Sequence, residues 1–224
     1  MAGRWKEEGS FRRLYGAWGL SDTIKHYEED TNMEKYLEVR WHGRAQQGVV
    51  TAAKVLGEAC LKAGKYVQAF PEFGPERMGA PVRAYNRVSD DPIRLHSQVT
   101  NPKYVLIADP TLIHTVSVTE GTPDDAVFIV NTPKSPSDMR KELGLGGKPP
   151  KVYTLDASKI SLESIGRNMP NTPMLGALAK ATQIISLEAL LENFKENYSK
   201  KFSPKVIEGN VAAMNRGFQE VKGE

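Results

Sequence analysis

Three short apolar runs in the middle of the chain constrain its fold most strongly. They cover residues 103–108, 126–130 and 152–155, and an aspartate or asparagine follows each run. Continuous apolar runs of this length are typical of strands that are covered on both faces of a sheet. Strands of this kind that alternate with helices form a largely parallel sheet. The pattern therefore predicts an α/β domain with a mainly parallel sheet.

The other segments fit the same fold class. Residues 37–41 alternate apolar and polar side chains as a strand does, and residues 49–63 read as a helix that ends at Gly64. The further predicted segments are a strand at 66–70, a shaped loop at 71–81, an extended segment at 82–88, a loop at 135–151, helical spacing from Pro173 to about Tyr198, and a last helix from Pro204 to about Phe218.

The chain divides into an N-terminal arm, residues 1–35, and one domain, residues 36–224. The arm is charged and carries scattered aromatic residues without clear periodicity: Trp5, Phe11, Tyr15 and Trp18. Aromatic side chains dominate the anchors of protein interfaces, so we expect the arm to dock on partner subunits. The alternative is a partly ordered tail.

Composition and charge exclude several classes of protein. The net charge of +3 is small and the basic residues are scattered, which argues against nucleic acid as a partner. No run of 18 apolar residues could span a membrane, and the N-terminus lacks the apolar core of a signal peptide, so we expect a cytoplasmic protein. The single cysteine, Cys60, cannot ligate an iron–sulfur cluster or zinc by itself, and it reads as a small buried hydrophobe.

The segment His42-Gly-Arg-Ala-Gln-Gln-Gly48, called here the first loop, joins the strand at 37–41 to the following helix. A glycine-bearing turn before a helix start makes an anion cradle, because free backbone N–H groups point out of the helix. Arg44 would add a charge and Gln47 an amide. The pattern is neither a Walker A sequence nor G-x-G-x-x-G, and a tight turn that only packs is an equally good interpretation.

Two more turns are expected at the same edge of the sheet. Asp109-Pro110-Thr111 and Asn131-Thr132-Pro133 each follow a predicted parallel strand. Ligands of open α/β sheets bind at the carboxyl ends of the strands. Both turns can also be simple strand stops, for which Asp, Asn and Pro are common residues.

The run Phe73-Gly-Pro-Glu-Arg-Met-Gly-Ala-Pro-Val-Arg83, called here the second loop, is stiff and charged. Glycine and proline fix an irregular backbone there. Glu76 and Arg77 could pair with each other, bind a partner chain or face a ligand, and the sequence alone favours a structural pairing; Arg83 lies in the same rigid frame. No second acid–base group is evident nearby, so we assign no catalytic carboxylate.

The histidines offer no metal site and no catalytic constellation. His42 is the only one beside a candidate loop, and we expect it to hydrogen-bond a neighbouring backbone group. None of the four has metal-ligand spacing, and no Ser/His/Asp or Cys/His arrangement can be assembled.

Several segments taken together resemble the gamma subunit of pyruvate:ferredoxin and related 2-oxoacid:ferredoxin oxidoreductases. The resemblance covers roughly residues 36–200 and omits the arm. It is carried by residues 36–53, 65–84, Pro92–Arg94, Asp109–Leu112, Asn131–Thr132, 152–157 and Asn171-Thr-Pro-Met-Leu-Gly-Ala177.

The resemblance implies a Rossmann-like three-layer α/β sandwich with C-terminal helices, acting within a complex. Such enzymes cleave a 2-oxoacid with thiamine diphosphate in alpha and beta subunits. The electrons pass through 4Fe–4S iron–sulfur clusters in a ferredoxin-like delta subunit to ferredoxin. The gamma-type domain packs on the others and helps to form the coenzyme A site. The chain is then expected to bind none of these cofactors alone and to be inactive alone.

The first loop departs from the family pattern, which usually reads Gly-Arg-Gly-Gly-Gln-Gly. Ala45 and Gln46 replace the two central glycines, while Gly43, Arg44, Gln47 and Gly48 match. Added side chains restrict the backbone and fill space near a ligand's phosphates, which counts against coenzyme A at this loop. A coenzyme A-independent, oxalate-cleaving member would tolerate the change, and so would a coenzyme A-using member with a shifted pose.

The leading hypothesis is a gamma subunit with a ligand edge at the first loop. The residues expected to contact the ligand are Gly43, Arg44, Gln47, Gly48, Asn131 and Thr132, whereas Glu76, Arg77 and Arg83 would face a partner subunit or the same pocket. A structural assembly subunit without ligand contacts is the second hypothesis, and a free-standing nucleotide-binding module is the third.

Overall fold

The computed structural model describes residues 36–73, 79–147 and 149–224, and the predicted N-terminal arm lies outside them. The described residues of the domain form a seven-stranded sheet in the order β2-β3-β1-β4-β5-β6-β7. The strands are β1 (Leu37–Arg44), β2 (Tyr66–Phe73), β3 (Pro81–Ser89), β4 (Tyr104–Ile107), β5 (Val127–Asn131), β6 (Lys151–Leu155) and β7 (Lys222–Gly223).

The centre of the sheet is parallel and its two sides are antiparallel. β1, β4, β5 and β6 pair in parallel. β3 pairs antiparallel with both β1 and β2, and β7 pairs antiparallel with β6. The three apolar runs therefore form β4, β5 and β6, as the sequence predicts. The second loop is shorter than expected, because β2 continues to Phe73 and β3 begins at Pro81.

Helices cover both faces of the sheet, so the predicted three-layer α/β sandwich is confirmed. They are α1 (Val49–Lys62), α2 (Pro136–Glu142), α3 (Ala157–Ile165), α4 (Asn171–Thr182), α5 (Leu187–Tyr198) and α6 (Pro204–Glu220), with a short 3₁₀ helix at Pro110–His114. The larger core packs α1 and α3 to α6 against one face, around residues such as Trp41, Leu56 and Leu178. The smaller core packs Met139 of α2 against Phe128 and Val130 of β5 on the other face.

Two helices lie where the sequence interpretation places only a loop or the end of a strand. α2 falls inside the predicted loop at 135–151; the Ser135 side chain caps it by accepting from the backbone N–H of Asp138, and Pro136 occupies the first turn. α3 follows Asp156, whose carboxylate accepts from the backbone N–H of Lys159 at 3.0 Å. Both capping patterns are visible in the sequence and predict helix starts.

The helical pattern from Pro173 to Tyr198 is two helices rather than one. α4 ends at Gln183, which adopts the left-handed conformation with φ of 56°. Ser186 then caps α5 by accepting from the backbone N–H of Ala189 at 3.2 Å. Apolar spacing cannot show the break, because both helices bury their apolar faces in the same core. None of the helices in the described residues is long and apolar enough to cross a membrane.

One face of β1 and β3 carries charged side chains that are nevertheless largely buried. This charged face is formed by Glu38, Arg40 and His42 of β1 and by Arg83, Tyr85 and Arg87 of β3. Arg87 is 1% exposed and its Nε donates to Glu38 Oε1 at 2.7 Å, while Nη1 donates to Gln68 Oε1 at 2.9 Å. Arg40 donates to the carbonyl oxygens of Val118 and Glu120 at 2.9 and 2.8 Å. The buried Arg87 guanidinium is tolerated because it is paired and hydrogen-bonded, whereas Nε of Arg40 has no hydrogen-bond partner among the described residues.

Replacing Arg87 with methionine tests the buried pair. Arg87→Met keeps much of the side-chain volume but leaves the Glu38 carboxylate buried without its partner. The free energy of unfolding should fall by about 3–5 kcal/mol, measured by urea denaturation of the purified chain. The double variant Arg87→Met/Glu38→Leu removes the stranded charge and should recover most of the loss. A loss below about 1 kcal/mol for Arg87→Met would show that the pair does not hold the sheet together.

Candidate functional site

The first loop is tighter than its sequence suggests. β1 continues through Gly43 and Arg44, so these residues lie at the end of the strand and the turn proper is Ala45–Gly48. A Cβ on Gly43 would lie 2.5 Å from Cγ1 of Val49 and 3.5 Å from Cβ of Ala108. Gly43 is therefore required by the close packing of β1, β4 and the start of α1.

The Arg44 side chain joins three segments at the carboxyl edge of the sheet. Its Nε donates to Asp109 Oδ2 at 3.0 Å, and its Nη2 donates to Thr111 Oγ1 at 2.9 Å. Its Nη1 donates to the carbonyl oxygen of Gly79, at the end of the second loop, at 2.9 Å. The guanidinium predicted to contact a ligand thus holds the first loop, the second loop and the turn after β4 together.

Gln47 completes this network around Asp109. Its Nε2 donates to Asp109 Oδ2 at 3.0 Å, and its Oε1 accepts from the backbone N–H of Arg44 at 2.8 Å. Burial acts to raise the pKa of Asp109, but hydrogen bonds from Thr111 and Gln47 and the charge of Arg44 outweigh it, so the pKa lies below its ordinary value. The Asp109 carboxylate is the hydrogen-bond acceptor that the side chains at this edge of the sheet share. The sequence interpretation does not assign this role to it.

Gly48 begins α1 in the left-handed conformation and leaves that helix without a side-chain cap. Its φ is 75°, and the first backbone bond of the helix runs from Ala52 N–H to the Gly48 carbonyl oxygen at 2.9 Å. A Cβ on Gly48 would lie only 2.6 Å from Cγ of Asn171, at the start of α4. Asn171 is buried, and its Oδ1 has no hydrogen-bond partner among the described residues. The sequence includes Asn171 in a family segment but does not indicate this contact.

Asn131 and Thr132 lie at the same edge, and their polar groups bond within the chain. Asn131 Nδ2 donates to the Ala108 carbonyl oxygen at 2.8 Å and to Ser158 Oγ at 2.9 Å, while its Oδ1 accepts from the Ser158 N–H at 3.1 Å. Thr132 N–H donates to the Leu155 carbonyl oxygen at 2.8 Å. These bonds join the ends of β4, β5 and β6; a ligand contact by either residue stays a prediction.

The residues predicted for the second loop are only partly described. Glu76 and Arg77 lie outside the described residues. Arg83 lies in β3 on the charged face, with its Nη1 at 3.8 Å from Glu72 Oε2 on the neighbouring strand. Glu72 also accepts a hydrogen bond from the hydroxyl of Tyr85. This cross-strand pair favours a structural role for Arg83, and its predicted contact with a partner or pocket stays a prediction.

His42 is a buried titratable residue of β1 and the first residue of the first loop. Its side chain is 1% exposed and its Nε2 has no hydrogen-bond partner among the described residues, so this nitrogen does not make the backbone bond expected from the sequence. Burial, together with the charges of Arg40 and Arg83, lowers its pKa to about 3. The imidazole is therefore neutral at physiological pH.

The described residues offer no separate centre for metal or thiol chemistry. They contain no group of three or more His, Cys, Asp or Glu side chains placed to hold a metal ion. Cys60 is buried in α1, where burial raises its pKa to about 11. The thiol is thus the inert core residue that the sequence predicts.

The two central residues of the first loop differ in conformation. Ala45 and Gln46 are both exposed, so their side chains do not fill the interior of the turn. Gln46 has φ of 76°, whereas Ala45 lies outside the left-handed region. A glutamine in this conformation carries strain that a glycine would not.

The edge and the fold together have the architecture of α/β domains that bind ligands at the carboxyl ends of parallel strands. The family model for pyruvate ferredoxin/flavodoxin oxidoreductases matches residues 38–220. The pyruvate synthase subunit PorC of Thermotoga maritima is 48% identical over 189 residues, which cover 84% of this chain and 96% of that protein. The gamma subunit common to pyruvate and ketoisovalerate oxidoreductases of Thermococcus kodakarensis is 46% identical over 180 residues, covering 80% and 96%.

A solved structure agrees with these relatives. The crystal structure of the pyruvate oxidoreductase subunit PORC from Thermotoga maritima matches with a TM-score of 0.75 and 45% identity, over 85% of this chain and 99% of that one. This chain belongs to the pyruvate ferredoxin/flavodoxin oxidoreductase family. The resemblance to gamma subunits that the sequence motifs indicate is therefore confirmed.

Replacing Gln46 with glycine should stabilise the chain. Gln46→Gly relieves the left-handed strain, and the net gain in the free energy of unfolding should be about 0.5–1 kcal/mol. Ala45→Gly is the matched control: the backbone there gains nothing from glycine, and the variant should lose a similar amount through chain entropy. Urea denaturation measures both variants, and equal shifts of the same sign would contradict the strain at Gln46.

His42 should make stability depend on pH. The pKa of His42 falls from 6.5 in the unfolded chain to about 3 in the folded chain, so folding favours the neutral imidazole. This contribution to stability is fully present above pH 6.5 and is lost as pH falls towards 3. Between pH 6.5 and pH 5 the loss should be about 2 kcal/mol, since one unit of pKa difference corresponds to about 1.4 kcal/mol. His42→Leu should flatten the unfolding free energy over this range. An unchanged slope in the variant would contradict the assignment to His42.

Proposed function

We propose that this chain is the gamma subunit of a multi-subunit 2-oxoacid:ferredoxin oxidoreductase, and that its carboxyl sheet edge forms part of the pocket for coenzyme A or substrate. The complex would oxidatively decarboxylate a 2-oxoacid such as pyruvate and pass the electrons to ferredoxin. The chain would contribute to assembly and to the pocket and would be inactive alone. Its family membership and the names of its relatives support this role.

The other components of the reaction are assigned to partner subunits. Alpha and beta subunits would hold thiamine diphosphate, and a ferredoxin-like delta subunit would hold the 4Fe–4S clusters. The single, buried cysteine supports this division, because cluster ligation needs several thiolates. We further propose that residues 1–35 dock on these partners and that the complex works in the cytoplasm.

One observation carries the ligand part of the proposal: the uncapped start of α1 at Gly48. The first N–H groups of a helix have no carbonyl partner within it and carry a partial positive charge. Gly48 presents this helix start without a side chain, in a conformation that glycine adopts readily. The backbone therefore fits a phosphate, and Arg44, whose guanidinium is paired with Asp109, ends the strand before this turn.

The 2-oxoacid would be selected elsewhere in the complex. The Thermococcus kodakarensis relative is a subunit common to pyruvate and ketoisovalerate oxidoreductases. A subunit that is shared by two enzymes with substrates of different size does not by itself discriminate between those substrates. The pocket proposed here is accordingly on the coenzyme A side rather than around the 2-oxoacid side chain.

A second candidate is a structural subunit without ligand contacts. This candidate is favoured because the polar side chains at the edge of the sheet make hydrogen bonds within the chain, as Arg44, Gln47 and Asn131 all do. A coenzyme A-independent complex, such as an oxalate-cleaving one, is favoured by Gln46, which places a strained side chain where the family pattern has glycine.

Thr51 allows a test that separates binding from folding. Thr51 is exposed in the first turn of α1, so a glutamate there faces the free N–H groups of the helix start. Thr51→Glu should raise the unfolding free energy of the chain by about 0.3–1 kcal/mol through the helix dipole. In the assembled complex, the same charge should weaken coenzyme A binding about tenfold by repulsion, measured by calorimetric titration and by KM.

Thr51→Gln is the matched control, because it has the same size without the charge and should bind coenzyme A as the unaltered complex does. The complex is purified through a tag on this chain, and its subunits are identified by mass. A chain that purifies without thiamine- and cluster-bearing partners would refute the subunit assignment. Normal coenzyme A binding by Thr51→Glu would favour the structural subunit, and no binding by the unaltered complex would favour the coenzyme A-independent one.

A further inference from the structure

The turn between α5 and α6, residues 199–206, exposes all of its side chains and is called here the basic turn. Its sequence is Ser199-Lys-Lys-Phe-Ser-Pro-Lys-Val206, with three lysines and no aspartate or glutamate. Phe202 is 46% exposed and Val206 is 38% exposed, so both are among the large apolar side chains that the described residues present to solvent. The basic turn thus combines positive charge with open apolar surface.

Phe202 is held in place by an aromatic stack. The rings of Phe194 and Tyr198 on α5 stack with their centroids 4.9 Å apart. Phe202 continues the stack at 6.0 Å from Tyr198, with ring planes only 5° apart. Phe194 and Tyr198 are buried, so Phe202 forms the exposed end of the stack. A side chain that is ordered before binding loses little conformational entropy on binding, which makes this ring a preformed interface anchor.

A groove of about 460 Å³ lies beside Phe202, between the end of α5 and the start of α6. Phe202, Pro204 and Ile207 give the groove apolar lining, and Glu196 and Glu208 also line it. The apolar lining can accept a side chain from another protein. The two glutamates would repel the headgroups of anionic lipids, so the groove suits a protein surface better than a membrane surface.

The positive charge of the basic turn opposes the dipole of the helix that follows it. α6 has no acidic residue in its first turn and no side-chain cap from Ser203, and Lys205 lies in that first turn. A helix start carries partial positive charge, so a lysine there is unfavourable and a negative group is favourable. Lys200 and Lys205 also form no ion pair with any described residue. An acidic group from another molecule would therefore stabilise both the lysines and the helix start.

We propose that the basic turn is the docking surface for an acidic segment of a partner subunit, with Phe202 as its apolar anchor. Carboxylates of the partner pair with Lys200 and Lys205, and an apolar side chain beside them enters the groove. The occupant is acidic because the charged residues of the turn are all lysines, and partly apolar because an exposed phenyl ring lies among them. The inference rests on the proposed function, since the partner belongs to the same complex, and it adds the surface and the charge of the contact.

Charge reversal tests the contact in the assembled complex. The complex is produced by co-expression and purified through a tag on this chain, and mass photometry of a dilution series gives the dissociation constant of the chain. Lys200→Glu/Lys205→Glu should raise this constant about tenfold or more, because each reversal places like charges opposite each other. The unaltered contact should weaken with added salt, and the double variant should show a smaller salt dependence.

Phe202→Ser removes the anchor without changing the charge and should raise the dissociation constant about tenfold. Lys151→Glu/Lys222→Glu is the matched control, because it makes the same change of net charge on exposed lysines of β6 and β7. This control should change the constant less than about twofold. Urea denaturation of the free chain separates docking from folding. Lys205→Glu places a carboxylate in the first turn of α6, so the double variant should unfold at the same or a higher urea concentration.

The outcomes separate this inference from the function on which it rests. An unchanged dissociation constant for Lys200→Glu/Lys205→Glu, in a complex that still contains its partners, overturns the docking surface and leaves the subunit assignment in place. Equal weakening by the control reversal shows a general effect of charge and also overturns the docking surface. A tagged chain that purifies without partner subunits overturns both proposals.

Two other occupants of the basic turn give different results. Binding of the complex to vesicles of phosphatidylcholine and phosphatidylserine, lost in the double reversal, would assign the basic turn to a membrane surface. A dimer of the free chain in sedimentation experiments, lost in the double reversal, would assign it to a second copy of this chain. Either result overturns the contact with a partner subunit.

Discussion

The ion pair between Arg44 and Asp109 organises the carboxyl edge of the sheet where β1 and β4 end. The pair is only partly exposed, and the same guanidinium reaches Gly79 and Thr111, so the end of β1, the end of the second loop and the turn after β4 share one set of bonds. Gln47 adds a further donor to the same carboxylate. Since exposed ion pairs alone contribute little, the importance of this one lies in the number of segments that it joins.

The helix starts depend on that edge and on close packing between helices. Gly43 lets α1 approach β1 and β4, and Gly48 lets Asn171 of α4 lie against the start of α1. α6 supports α4 from the other side through Gly176 and Gly217. Gly176 and Gly217 thus let two backbones approach each other, whereas Gly43 and Gly48 make room for side chains.

Local signals account for the parts of the structure that the sequence predicts well. The apolar runs at β4, β5 and β6 bury both faces, and α1 has a clear apolar stripe and a glycine after its end. Apolar periodicity does not indicate α2 and α3, although Ser135 and Asp156 cap them, because a short helix has few turns over which a period can show. The break between α4 and α5 depends on Gln183 in the left-handed region, a conformation that no residue-level preference for glutamine predicts.

The sequence by itself determined the fold class and the family, because periodicity, strand stops and motif residues are properties of neighbouring positions in the chain, and it predicts the edge for a ligand on the same grounds. Only the tertiary structure decided what the edge residues bond to. Arg44 and Asn131 are engaged within the chain, whereas Asn171, more than a hundred residues from Gly48, places a carboxamide against it whose Oδ1 has no hydrogen-bond partner in the part of the chain that the structure describes. Contacts of this kind depend on how sheet and helices pack, which no local pattern contains.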